Sequence, residues 1–226
     1  MAPKASIDVA QLSSELVARL GTLRSLNVES IRAVRREYSK RIAQAAPRDV
    51  IAFALRLLDQ PGIAFRVVSY ELVCHHRAAL RSLRARELQQ FGRGLNSWES
   101  VDTFACYLAG RAWREHQVSD SLVHRWARSD DRWWRRAALV CTVALNTEAQ
   151  GGRGDTPRTL KLCAMLAADR DDMVVKALSW ALRALAKSDP AAVRVFLAEH
   201  DSELAARVKR EVRNKLKTGL KNPRKT

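Results

Sequence analysis

Residues 31–42 read IRAVRREYSKRI, and this stretch decides the fold class. Its apolar residues recur at intervals of three or four, which is the spacing that places side chains on one face of an α-helix. They are Ile31, Val34, Tyr38 and Ile42. Few segments depart from this spacing: none alternates cleanly between apolar and polar residues, and no Asn-Gly or Asp-Gly pair marks a hairpin. The sequence therefore predicts an all-α protein.

Short polar segments mark where the helices begin. Asp189 followed by Pro190 is typical of an N-cap with proline at the first helical position. Residues 96–99, NSWE, resemble a capping box that starts at Asn96. Further caps are indicated at Ser119-Asp120 and Ser129-Asp130. These signals divide the chain into roughly ten to twelve helices with one conspicuous loop, at residues 150–157.

Helices of this length with short connections predict stacked helical pairs. A pair of about 35–45 residues is the unit of a HEAT-type solenoid, whose stacked units leave one concave face. We therefore expect a curved α-solenoid of HEAT-like repeats with a basic concave face. It would be a single domain over residues 1–226, with frayed termini at 1–10 and 218–226.

The charge indicates which partners to consider. The 226 residues include 40 Lys and Arg against 24 Asp and Glu, a formal net charge of +16. Such an excess favours a polyanion partner, although many basic proteins bind no particular polyanion. Residues 207–226 alone carry nine Lys or Arg and one acid, which fits either a solvated tail or a DNA-backbone contact. No apolar stretch is long enough to span a bilayer, and we expect no membrane partner.

The cysteines and histidines do not predict a metal site. Each cysteine lies in an apolar segment, and none forms a CxxC pair. They are Cys74, Cys106, Cys141 and Cys163. They are interpreted as buried apolar residues in a reducing compartment, in keeping with a cytoplasmic protein. His75 and His76 are adjacent and would point in different directions on a helix, so no metal or cofactor is expected.

Three segments carry residues with chemical potential. Trp98 and Asp102 are four apart and would share one helix face. Arg136 lies 38 residues after Trp98, and Trp180 lies 44 residues after Arg136. Each separation is about one repeat, so Trp98, Arg136 and Trp180 could line a single concave surface. Each also has a plainer explanation, because tryptophan is often part of the core, aspartate a helix cap and arginine a solvated residue.

The segments SWESVD, SDDRWWRRAAL, KALSWALRALAKSDPAAV and RVKREVRNKLK together resemble the AlkD-type DNA alkylation repair family, the HEAT-like-repeat alkylpurine DNA glycosylases. The resemblance extends from about Arg32 onward and is strongest over residues 96–213. It implies that Asp102 is the catalytic carboxylate, that Trp98 and Trp180 contact the sugar and the cationic nucleotide, and that Arg136 binds a phosphate. Further DNA-binding residues are expected at Arg132, Arg135, Arg183, Lys176, Arg210 and Arg213.

The implied activity is release of N3- and N7-alkylated purines from duplex DNA by a monofunctional glycosylase. Alkylation at these positions gives the base a positive charge, so the base leaves neutral, and the difficult part is the cationic sugar that a carboxylate stabilises. The resemblance also implies that the lesion stays largely stacked. The protein is expected to act as a monomer in the cytoplasm, associated with the nucleoid if it is bacterial. A non-catalytic DNA-binding module and a protein-interaction scaffold remain alternatives.

Overall fold

The computed structural model describes residues 7–223, and that part of the chain is helical with no strand. The prediction of an all-α fold is confirmed. Residues 1–6 and 224–226, which belong to the predicted frayed ends, lie outside the described residues. Between residues 7 and 223, no helix combines the length and the apolar character needed to cross a membrane.

The chain divides into two compact units, one ending at Gly94 and the other beginning at Leu95. The helices described in the first unit are α1 Val9–Gly21, α2 Val28–Arg41, α3 Pro47–Leu57, α4 Ile63–His75, α5 Arg77–Ser82 and α6 Ala85–Phe91. Those described in the second are α7 Trp98–Phe104, α8 Gly110–Arg114, α9 Asp120–Ala127, α10 Arg132–Asn146, α11 Thr156–Met165, α12 Asp172–Leu185, α13 Pro190–Glu199 and α14 Ala206–Thr218. The single domain expected over residues 1–226 stays a prediction.

The first unit is built around α3 and α4. Helix α3 packs against α1 and α4, and α2 packs against α4. The predicted stripe on α2 faces this core, because Ile31, Val34 and Tyr38 are buried. One charged side chain also lies inside: Glu71 accepts hydrogen bonds from Arg32 and Arg35 at 3.0 and 3.2 Å. The pairing makes burial of that carboxylate tolerable.

The second unit has the order expected of stacked helical repeats. Helices α7, α10, α12 and α14 pack side by side in sequence, with α9 and α11 packed against α10, and α13 against α12. The separations that the sequence places between Trp98, Arg136 and Trp180 therefore correspond to steps from one helix of this row to the next. The architecture is an α-solenoid of helical repeats, while its curvature and concave basic face stay predictions.

Helices α7 and α8 form one continuous helix because a π-helical turn, Ala105–Ala109, joins them. Gly110 follows this turn at a very close helix contact. A Cβ added to Gly110 would lie 2.7 Å from the carbonyl oxygen of Cys141 and 2.8 Å from the Cβ of Ala144, both on α10. Only glycine lets the two backbones approach this closely.

The predicted cap at Asp189 is confirmed, since its carboxylate accepts the backbone N–H of Ala192 at 3.0 Å and Pro190 opens α13. Ser119 also precedes α9 as predicted, but its hydroxyl pairs with that of Ser121 rather than with a backbone N–H.

Two predicted caps are displaced. The cap of α7 is Ser97 rather than Asn96, because the extended backbone at Ser97 lets its hydroxyl face the N–H of Ser100. The cap of α10 is Asp131 rather than Ser129-Asp130, and its carboxylate accepts the N–H of Trp133 at 2.8 Å. In each case several small polar residues adjoin, and the pattern alone does not choose among them.

Candidate active site

An ion pair between α7 and α10 forms the centre of the candidate site. The Nε and Nη2 of Arg136 donate to the two carboxylate oxygens of Asp102, at 2.9 and 2.8 Å. The remaining terminal nitrogen, Nη1, donates to the carbonyl oxygen of Met173 at the start of α12, at 2.6 Å. The side chain of Arg136 is 6% exposed and that of Asp102 is 17% exposed. The carboxylate is thus held in one orientation by a charge that solvent scarcely reaches.

Two opposing effects act on the Asp102 carboxyl group. Burial raises the pKa of Asp102, and the hydrogen bonds and positive charge of Arg136 lower it. Burial is the larger effect, so the pKa of Asp102 lies above its ordinary value. Accepting two bonds from a guanidinium nevertheless requires the carboxylate form, which makes Asp102 a fixed negative charge.

Asp102 opens onto a cleft of about 460 Å³ that lies wholly within the second unit. The lining side chains combine one carboxylate, two aromatic rings, a thiol, several hydroxyl or amide groups and four cations. They include Asp102, Thr103, Cys106, Tyr107, Thr147, Gln150, Trp180, Arg183, Lys187, Lys215 and Lys221. A negative centre facing a row of cations suits a ligand that has an electron-poor group next to an anion.

The π turn brings two of these side chains into the cleft. Cys106 and Tyr107 follow Asp102 along the chain, and both line the same cavity. A π turn changes the direction of side chains relative to a regular helix, and such turns are frequent at functional sites.

The four residues predicted to be catalytic are distributed unevenly. Asp102 and Trp180 line the cleft, and Arg136 lies behind Asp102. Trp98 begins α7 one turn before Asp102, is 51% exposed and is not among the lining residues. Convergence of Trp98, Asp102 and Trp180 around one sugar stays a prediction.

The structure pairs Arg136 with Asp102, and the phosphate contact expected of Arg136 stays a prediction. Each of its three guanidinium nitrogens already donates to a protein acceptor, and the side chain is nearly inaccessible. Since solvent reaches only 6% of this side chain, little of the guanidinium is open to an incoming phosphate. These contacts fix the orientation of the Asp102 carboxylate.

Of the predicted DNA-binding residues, Arg183 lines the cleft and Arg135 is held by contacts within the protein. Arg183 lines the cleft, donates to the hydroxyl of Ser179 at 3.2 Å and lies 4.0 Å from Glu211. Burial lowers the pKa of Arg183, although a guanidinium stays cationic at neutral pH. Arg135 is bonded to Asp169 at 2.7 Å and to two backbone carbonyls, which indicates a structural role.

The other four predicted DNA-binding residues lie outside the cleft lining. Arg132 is half-exposed and sits 4.9 Å over the ring of Trp133. Lys176 and Arg213 pair with carboxylates at 2.7 and 2.8 Å, and Arg210 is exposed. These positions leave the DNA contacts of all four as predictions.

The four cysteines form no disulfide, and Cys106, Cys141 and Cys163 are buried as predicted while Cys74 is half-buried. Burial raises the pKa of Cys106 to about 12, so this thiol is protonated and weakly nucleophilic despite lining the cleft. Within residues 7–223 there is no group of three or more His, Cys, Asp or Glu side chains that could hold a metal ion. The Nδ1 of His76 instead accepts the N–H of Ala79 and caps α5.

Residues 21–216 match the family described as DNA alkylation repair enzyme. The chain belongs to this family. A DNA alkylation repair enzyme acts on DNA, and the ion pair and the cleft lie within the matched residues apart from Lys221. No curated protein matches the chain.

Some cleft residues of this DNA alkylation repair enzyme were not predicted from the sequence. Lys187 lies one turn after Arg183, and that spacing could have indicated it. Lys215 and Lys221 belong to the basic tail, but its composition does not distinguish one lysine from another. Gln150, which accepts two bonds from Arg111, lies in the loop that the sequence marked only as a connection.

Proposed function

We propose that this DNA alkylation repair enzyme is a monofunctional glycosylase that hydrolyses the N-glycosidic bond of cationic N3- and N7-alkylated purines in duplex DNA. The observation that carries the proposal is the Asp102 carboxylate, which is partly buried, fixed by Arg136 and open to a cleft with a basic wall. An anion in this setting can stabilise a positive charge that develops opposite it.

The proposed reaction needs little besides such a charge. An alkylated purine that is already cationic leaves as a neutral base when the bond to C1′ breaks, so no acid has to protonate it. The bonding electrons depart with the base, and the sugar acquires oxocarbenium character. Asp102 stabilises that cation and orients the water that attacks C1′, and the water's proton passes to the carboxylate or to solvent.

Arg136 supports this role by fixing where the negative charge lies. Two parallel hydrogen bonds leave the carboxylate little rotational freedom, so its reorganisation as the sugar becomes cationic is small. The same bonds oppose the effect of burial on the pKa of Asp102 and help to keep the group ionised at neutral pH.

Trp180 supplies an aromatic surface on α12, the helix that packs against α10. It is half-buried and lines the same cleft as Asp102. The negative face of an indole ring attracts a nearby cation by about 0.5–2 kcal/mol. An alkylated nucleotide would gain this contact while an unmodified neutral base would gain less, which favours damaged DNA.

We also propose that the lesion stays largely stacked in the duplex. Enzymes that extrude a base usually enclose it between aromatic or apolar side chains. In this cleft Arg183, Lys187 and Lys215 occupy part of the wall instead, which suits the sugar and backbone better than a free base. Selectivity would then come from the charge of the lesion and the weakness of its glycosidic bond.

A comparison of lesions tests the proposal. Duplexes that contain 7-methylguanine, 3-methyladenine or O6-methylguanine at one position are incubated with excess protein, and released bases are identified by chromatography and mass spectrometry. We expect release of the first two, which are cationic, and retention of the third, which is neutral. The abasic strand should break only after alkali treatment. Binding of the duplexes without release of any base would favour a non-catalytic DNA-binding protein.

A further inference from the structure

Four cations line the end of the cleft formed by α12, α14 and the residues that follow α14. They are Arg183, Lys187, Lys215 and Lys221. One carboxylate, Glu211, lies among them, and it is buried with a side-chain exposure of 7%. Four cations and one carboxylate give the group a formal net charge of +3.

A turn after the last helix puts Lys221 in this group. Gly219 ends α14 in the left-handed conformation, with φ of 75°, and its N–H donates to the carbonyl oxygen of Lys215. The amide of Asn214 then donates to the carbonyl oxygen of Lys221 at 3.1 Å, which holds the returning chain against the helix. Lys221 lies beyond the residues that match the family, which end at 216.

Glu211 links the two sides of the group. Its Oε2 accepts the hydroxyl of Ser179 at 2.7 Å and lies 4.0 Å from Arg183, and its Oε1 lies 3.5 Å from Lys221. A buried carboxylate between two cations fixes their positions and cancels only one of the charges. The remaining positive charge faces the cleft.

On the opposite side of α14, two cations share a single carboxylate partner outside the cleft. Lys209 and Arg213 both bond to Asp201, at 3.2 and 2.8 Å. Lys217 borders a separate groove with Leu216 and Arg194. The basic helix therefore presents Lys215, rather than the predicted Arg210 and Arg213, to the cleft that contains Asp102.

We propose that Arg183, Lys187, Lys215 and Lys221 form a subsite for a DNA phosphodiester next to the nucleotide whose sugar faces Asp102. The inference rests on the proposed function, because it takes the cleft as the place where the damaged strand lies. It assigns the phosphate contact first predicted for Arg136 to this group. It also assigns a binding role to the terminal turn, which lies beyond the family match.

Two lysines of the same C-terminal segment provide a matched test. Lys221→Gln and Lys217→Gln each remove one positive charge, but only Lys221 lines the cleft. Affinity for an undamaged fluorescent duplex is measured by anisotropy at several salt concentrations. The slope of log K against log salt is negative, and one lost phosphate contact makes it less steep by about 0.9. This change corresponds to about eightfold weaker binding at 0.1 M salt. We expect this change for Lys221→Gln and the parent slope for Lys217→Gln.

Lys187→Gln provides a second variant, in the turn that follows α12, and its exposed side chain makes misfolding a small concern. It should make the slope less steep by about the same amount as Lys221→Gln. Parent slopes in both Lys187→Gln and Lys221→Gln, or an equal loss in Lys217→Gln, would overturn the subsite.

Base release by the parent protein separates this inference from the proposed function. If the parent releases 7-methylguanine but the slopes do not change, the subsite fails and the glycosylase proposal stands. If the slopes change as expected but no base is released, the subsite stands as a DNA contact and the glycosylase proposal fails.

Discussion

Replacing Asp102 with asparagine removes the negative charge and nearly preserves the shape of the side chain. The amide oxygen can still accept one bond from Arg136, and the bond from Arg136 to Met173 is untouched. The substitution therefore isolates the charge from the geometry of the cleft. If that charge stabilises the cationic sugar, base release must fall while DNA binding is kept.

The size of the effect follows from the role of the group. Loss of one preorganised electrostatic group typically lowers the rate by about 10²–10³, which is about 2.7–4 kcal/mol of transition-state stabilisation. A cost in stability accompanies it, because Arg136 is 6% exposed and loses its counterion. Breaking a fully buried pair costs about 3–5 kcal/mol, and we expect a smaller loss here because burial already disfavours the ionised Asp102 and the amide keeps one acceptor for Arg136.

The assay is single-turnover release of 7-methylguanine from a duplex at saturating protein, with duplex affinity measured separately. Glu99→Gln is the matched control, since it removes one carboxylate three residues earlier on the same helix at an exposed position. Thermal unfolding of both variants confirms that the assay temperature lies below their transitions. We expect a loss of 10²–10³ for Asp102→Asn and a rate near that of the parent for Glu99→Gln. A folded Asp102→Asn variant as active as the parent would refute the role assigned to this carboxylate.

Three further predictions address the surroundings of Asp102. Arg136→Met should lower stability by about 3 kcal/mol, and it should move the acidic limb of the pH–rate profile to higher pH because Arg136 lowers the pKa of Asp102. The salt dependence of duplex binding should stay at the parent value, whereas a weaker salt dependence would support a phosphate contact by Arg136. Base release by the parent should fall as pH drops through the raised pKa of Asp102, at a higher pH than for an ordinary aspartate. Because the pKa of Asp102 is higher in the folded than in the unfolded protein, its contribution to stability is complete below the unfolded pKa and is lost as pH rises through the folded pKa. Titrations of the rate and of the free energy of unfolding against pH check both statements. Gly110→Ala should lower stability by about 1–3 kcal/mol in a denaturant titration, because its Cβ would meet α10 at 2.7 Å, whereas Gly21→Ala, with nothing within 4 Å, should not.

The sequence predicted the helical fold because the core positions repeat at helical spacing. The stripe of Ile31, Val34 and Tyr38 is buried, and Asp189 caps its helix as expected. Local signals of this kind depend on neighbours in the chain, which a sequence displays directly. Where several polar residues adjoin, as before α7 and α10, the same signals left the starting residue of the helix open.

The candidate site was predicted only in part, because side-chain partners depend on contacts between distant segments. The spacing of Trp98, Arg136 and Trp180 placed them on successive packed helices. It did not show that Arg136 would turn toward Asp102 and the carbonyl of Met173. Nor did composition show which lysines of the tail face the cleft, because that depends on the turn at Gly219.

The most direct test of the account identifies what leaves the DNA. A duplex with a single radiolabelled 7-methylguanine is incubated with the parent protein, and the soluble product is analysed by mass spectrometry. The account predicts free 7-methylguanine and an intact strand that contains one abasic site. A strand that keeps its methylated base, or loses only the methyl group, would contradict it.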